Sequence, residues 1–173
     1  MSEQQRPDHT TGAASDGGPN PLDRQRALMD LLSQETRHDI VQALLGHPEH
    51  LASEQELDYL VDDKSRGAVE GAIDRLVEEG ILAIYEHPPN ESTRDYPYKF
   101  IGFTEYGVDV LDQFNYLKGV PLARALHDST RKSSTVERHE DAPRPDLPPA
   151  VEEALYVPDD ATPMDTTESP QRT

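Results

Sequence analysis

Lys64, Ser65 and Arg66 set two cations and a hydroxyl side by side, directly ahead of an amphipathic helical pattern. A helix start leaves its first backbone N–H groups unpaired and carries partial positive charge, so cations there create a surface suited to phosphate. At 100° per residue, Ala68, Val69, Ala72, Ile73, Leu76 and Val77 share one face, and Gly67, Glu70, Gly71, Asp74 and Glu78 lie opposite. Gly67 and Gly71 permit another surface to come close but supply no side-chain hydrogen bonds. Glu70 can accept a hydrogen bond from a cytosine amino group, yet it repels phosphate. Arg75 lies to the side of this face, and Arg94 and Lys99 follow downstream. The competing reading pairs Arg66 with Glu70 at i+4 and Arg94 with Asp95, leaving both cations as ordinary surface charge.

Other candidate chemistry is sparse. The chain has no cysteine, which removes disulfides, thiolate metal sites and cysteine nucleophiles. His47-Pro48-Glu49-His50 brings two histidines near a carboxylate, but Pro48 prevents a regular helical metal pair, and the segment reads as a solvated polar turn. No glycine-rich phosphate loop or nucleophile elbow is present. The tyrosines at 85, 96, 98, 106 and 116 read as packing residues. No enzyme, metal site or cofactor is expected.

The elements around the basic cluster follow from periodicity and caps. Leu28, Leu31 and Leu32 mark a first helix, and Ile40, Val41, Leu44 and Leu45 a second, capped by Ser33 and stopped by Gly46 and Pro48. Ser53 with Glu56 three residues on is a capping-box signature for a short helix bearing Leu57, Leu60 and Val61. The turn 62–65 then leads into the long helix, with Asp63 or Ser65 as its cap, and Gly80 closes it. Ile81–Tyr85 and Tyr98–Phe103 have strand composition around a polar tip at 87–97. Thr104 caps a further helix with Val108, Leu111, Phe114 and Leu117, and Pro121 starts a last one with Leu122, Ala125 and Leu126. The fold class expected is mainly α with a small β-hairpin, a winged helix-turn-helix with additional terminal helices.

Residues 1–21 and 133–173 are rich in proline, glycine and polar residues and poor in large apolar side chains, so both are expected to be disordered tails. Pro148–Leu155 inside the second tail has helical spacing and could dock a protein partner. The folding unit is placed at 22–132. Its net charge is −9, against −18 for the whole chain, and lysine is scarce, with four against twelve arginines. An acid-coated, lysine-poor surface suits very high salt, where self-repulsion is screened. No apolar segment approaches the length needed to span a bilayer, so a cytoplasmic protein is the expectation.

Several segments resemble ArsR-type winged-helix regulators, most of all those of salt-loving archaea. Leu32–Leu44 resembles their opening helix, with Arg37 ahead of the aliphatic pair Ile40-Val41. Val69, Ile73, Leu76, Gly80, Ile81 and Leu82 match the spacing of their recognition helix and first wing strand. Phe103-Thr104-Glu105-Tyr106-Gly107 resembles the start of their post-wing helix, and Asp63–Arg66 and Tyr116–Pro121 have close parallels. The resemblance covers about 22–130. It departs at Ser53–Val61, which lacks the cysteines of metal sensors, and at Glu70, Gly71 and Ala72, where many members carry serine, a basic residue and histidine. It implies sequence-specific binding to double-stranded DNA by a homodimer. The DNA-contacting set is Lys64, Ser65, Arg66, Gly67, Glu70, Gly71, Arg75, Arg94 and Lys99. Leu28, Leu31, Leu117, Val120, Leu122 and Leu126 offer the apolar surface for dimerisation. The alternative is a protein-interaction module on the same fold, its acidic face addressing a basic partner.

Overall fold

The structure is a computed structural model that describes residues 20–88 and 96–156. Helix α1 spans Pro21–Ser33 and α2 spans Glu35–Gly46. Only Gln34 separates them, and its side chain, not that of Ser33, caps α2 by accepting from the Arg37 N–H. Strand β1, Leu51–Ala52, precedes α3, Glu54–Leu60. Helix α4 follows at Arg66–Glu78, then β2 at Leu82–Glu86 and β3 at Lys99–Phe103. Beyond the hairpin come α5, Glu105–Gln113, a 3₁₀ turn at Tyr116–Gly119 and α6, Val120–Ser129. Phe114 and Leu117 therefore do not continue the stripe of α5, because Asn115 takes a left-handed conformation that ends the helix.

The sheet is antiparallel in the order β1-β3-β2, with Leu82 opposite Phe103 and Glu86 opposite Lys99. Its apolar face joins α2, α4 and α5 around Ile40, Leu44, Val69, Leu76, Phe100, Phe103 and Leu111, all fully buried. Two glycines position the motif. Gly80 has φ +80, the left-handed region that lets α4 turn directly into β2. Gly46 lies so close to α6 that an added Cβ would sit 2.3 Å from the Ala123 carbonyl oxygen.

The chain after Ser133 departs from the expected disordered tail. Helix α7, Ser134–Glu140, packs against α3, and α8, Pro149–Leu155, packs against α5. Val136, Ala142, Leu147, Val151 and Leu155 are buried in this strap. Composition misleads here because these few apolar residues follow no single period, yet each enters the domain's own surface. Pro149 starts α8, where its missing N–H costs nothing. The apolar side of the segment expected to dock a partner is thus used within the chain.

The same packing corrects the reading of His47 and His50, which are buried and not solvated. His47 Nδ1 accepts the Glu49 N–H, so Nε2 carries the proton it donates to Glu56 at 2.9 Å. Glu56 also receives the Ser53 N–H of the capping box and the guanidinium of Arg144 from the strap. Beside them His127 Nε2 meets Glu140, which Lys132 also holds, and Ser53 Oγ meets His139 Nδ1. Two carboxylates and two cations compensate one another, with the histidines bridging them.

Candidate nucleic-acid interface

The expected helix-turn-helix is α3, the turn 61–64 and α4. Ser53 caps α3 through the Glu56 N–H, and the full capping box is formed. Ser65, not Asp63, caps α4 by accepting from the Ala68 N–H at 3.1 Å. Val69, Ala72, Ile73 and Leu76 anchor α4 to the core, while Ala68 is exposed. Ser65, Arg66, Gly67, Glu70, Gly71, Asp74 and Arg75 are all exposed, so the start of α4 and its outer face form one open surface. Around Gly67 and Gly71 an added Cβ would meet nothing within 4 Å.

Every expected DNA-contacting cation among the described residues has an acidic partner. Lys64 Nζ lies 2.8 Å from Glu35 and 3.5 Å from Asp63, and the hydrogen bond to Glu35 raises its pKa. Arg66 Nε meets Glu70 at 3.1 Å, and Arg75 meets Glu79 at 3.1 Å. Lys99 Nζ is 4.0 Å from Glu86 across the hairpin and stands over the Tyr98 ring. Arg94 falls outside the described residues. The i+4 reading of Arg66 is therefore what the free chain adopts. The pairs of Arg66, Arg75 and Lys99 are exposed, and such pairs are each worth about 0–1 kcal/mol, so a phosphate can replace the carboxylate there at little cost.

The face is also acidic. Glu54, in the first turn of α3, stands near Glu70, and burial together with the hydrogen bond and repulsion from Glu70 raises its pKa. Glu54, Glu70 and Asp74 thus form a ridge between α3 and α4. The residues brought together are Lys64, Ser65, Arg66, Gly67, Glu70 and Gly71. Arg75 stands near the far end of α4, and Lys99 in the hairpin, whose strands close with His87 N–H bonded to the Tyr98 carbonyl at 2.7 Å.

The expected dimer residues divide. Leu31 and Val120 are only 6% and 2% exposed and belong to the chain's own core, and Leu28 and Leu117 pack partly against it. Periodicity alone presents these four as surface, whereas α1, the 3₁₀ turn and α6 close over α2 and α5. Leu122 and Leu126 remain open at 61% and 60%.

One groove at this surface has no counterpart among the sequence-based expectations. It runs between α3, the start of α4 and the strap, lined by Tyr59, Lys64, Arg66, Ser133 and Thr135, with Asp58 and Asp62 on its acidic side. The available signal is the cluster Arg131, Lys132 and Arg138, which straddles the boundary expected at 132 between the folding unit and the tail.

No protein-family model matches the chain, and no curated protein matches it. Among solved structures it is similar to a protein from Halomicrobium mukohataei described as having a GntR-superfamily winged-helix-turn-helix domain. The TM-score is 0.68 at 24% identity, over 78% of this chain and 94% of that one. The fold is a winged helix-turn-helix. The ArsR subtype drawn from the sequence finds no support in that neighbour, whose description is of the GntR superfamily. Among the described residues no helix is long and apolar enough to cross a membrane.

Proposed function

We propose that the chain is a sequence-specific transcriptional regulator that binds double-stranded DNA at high salt as a homodimer. The observation that carries this reading is the pair Gly67 and Gly71 on the outer face of α4. Each weakens the helix by about 1 kcal/mol relative to alanine, and neither is needed for packing within the chain. A surface that must come close to the α4 backbone, as a major groove does, gives them a purpose. Lys64 and Arg66 at the helix start take phosphates or base edges, exchanging their carboxylate partners for DNA, with the Ser65 hydroxyl beside them. Lys99 and Arg94 belong to the wing and take the backbone beside it. Arg75, at the far end of α4, contributes at the edge.

High salt reconciles the acidic ridge with this role. In molar salt the Debye length is about 3 Å, so Glu54, Glu70 and Asp74 repel phosphates only on near contact. The scarcity of lysine across the whole chain supports the same setting. Dimerisation uses the exposed leucines of α6, Leu122 and Leu126.

Genome-wide occupancy in the native cell tests the reading, comparing the wild type with Lys64→Glu/Arg66→Glu. Discrete occupied sites that vanish in the variant are expected. Occupancy that persists in the variant, or none in the wild type, would favour a protein-interaction module on the same fold.

A further inference from the structure

We infer that the strap segment around Arg131 and Arg138 is a second phosphate-contacting surface, carried beside the helix-turn-helix and engaging the same DNA duplex. The inference rests on the DNA-binding reading and extends it to residues outside the helix-turn-helix and the wing.

Placement comes first. The Tyr59 hydroxyl of α3 donates to the Arg131 carbonyl at 2.6 Å, fixing the chain just before α7 to the end of α3. Val136 is buried, and Ser53 Oγ, at the cap of α3, bonds His139 Nδ1 at 2.9 Å. Arg144 then ties the strap to Glu56. Helix α7 is thus pinned along α3 by buried and partly buried contacts at both ends. In a helix-turn-helix the first helix crosses the DNA backbone, so whatever is fixed alongside α3 is delivered to phosphates. The groove shared by Lys64, Arg66, Ser133 and Thr135 places the strap directly beside the start of α4.

Charge is the second, independent observation. Lys64, Arg66, Arg75 and Lys99 are all matched by carboxylates. Arg131 and Arg138 are exposed, and among the described residues neither side chain has an acidic or hydrogen-bonding partner. With Asp58 and Asp62 in the groove and Glu137 on α7 nearby, they remain free to meet a phosphate. When they bind one, no internal ion pair is displaced.

The test uses the full chain and a labelled mixed-sequence duplex, because phosphate contacts are sequence-independent. Affinity is measured across a KCl series for the wild type, Arg131→Glu, Arg138→Glu and the double variant. Lys118→Glu, an exposed reversal on the 3₁₀ turn outside the groove, is the charge-matched control. Each strap variant should weaken binding severalfold more than Lys118→Glu. The slope of log affinity against log salt should become more positive by about 0.9 for each phosphate no longer neutralised. Lysine at either position should retain most of the binding, and thermal melting should be unchanged. Effects no greater than the control's would overturn the inference, as would tighter binding by the double variant, which would make the strap a guard against DNA. If those results accompany normal wild-type binding, the DNA-binding reading stands without the strap. A wild type that binds no duplex at any salt overturns both.

Discussion

Arg144 Nη2 lies 2.9 and 3.0 Å from the two carboxylate oxygens of Glu56, joining residues 88 apart in sequence in a nearly water-free site. Glu56 is also half of the capping box of α3 and the acceptor of the His47 proton. One carboxylate therefore ties the first helix of the helix-turn-helix to both the end of α2 and the strap.

Removing the arginine leaves Glu56 buried without its cation. Breaking a buried pair from one side costs about 3–5 kcal/mol, so Arg144→Met should lower unfolding free energy by about 3 kcal/mol. Arg66→Met, which removes an exposed pair, should cost under about 1 kcal/mol. Urea denaturation of both variants checks the contrast. Hydrogen exchange should show α7 and α8 losing protection in Arg144→Met, and equal destabilisation by the two substitutions would count against the latch.

Acid should weaken the buried cluster of histidines and Glu56. Burial holds the pKa values of His50, His127 and His139 below their ordinary value. Burial alone would push Glu56 up, but the hydrogen bond from His47 and the charge of Arg144 bring it below its ordinary value. For all four groups the unfolded chain binds protons more readily than the folded one, so their stabilisation is complete above the unfolded pKa. The histidine contribution should fade as pH drops below about 6.5, and the Glu56 contribution below about 4.5. Urea midpoints that stay constant from neutral pH down to about 5 would contradict the histidine part.

The glycines of α4 and α2 should behave oppositely. Alanine at Gly67 or Gly71 should raise stability by up to about 1 kcal/mol, since open space surrounds both, while weakening DNA binding by crowding the groove. Gly46→Ala should destabilise by about 1–3 kcal/mol, because its Cβ would collide with the Ala123 carbonyl of α6. Thermal melts and duplex titrations on the three variants separate the effects. Unchanged DNA affinity in the α4 variants would remove the close-approach argument.

Leu122→Glu/Leu126→Glu should convert a dimer to a folded monomer in sedimentation equilibrium. Val120→Glu should instead unfold the chain, because Val120 is buried within it. A wild type that sediments as a monomer contradicts the dimer.

What is legible in the sequence is local. The Ser53–Glu56 capping box, the Ser65 cap and the Gly80 stop each need only a few neighbouring residues, and each is present. Strand β1 is invisible at that level because two residues show no alternation, and its existence depends on pairing with Gly102 and Ile101. The strap is hidden for a similar reason. Leu147, Val151 and Leu155 look like a sparse tail until the surface they cover, built far earlier in the chain, is in place. Burial of His47 and Glu56 likewise depends on Arg144. At the α4 surface, residue types suggest cations free for DNA, but Lys64 is drawn to Glu35, a partner on another helix that spacing along α4 does not reveal.

The most direct test of the central claim is equilibrium binding of the wild type to a duplex from an occupied genomic site, followed from moderate to molar KCl. An acidic domain whose Lys64, Arg66, Arg75 and Lys99 are already matched should hold its affinity, or gain, as salt screens Glu54, Glu70 and Asp74. A steep fall in affinity over that range, the ordinary signature of counterion release, would contradict the account.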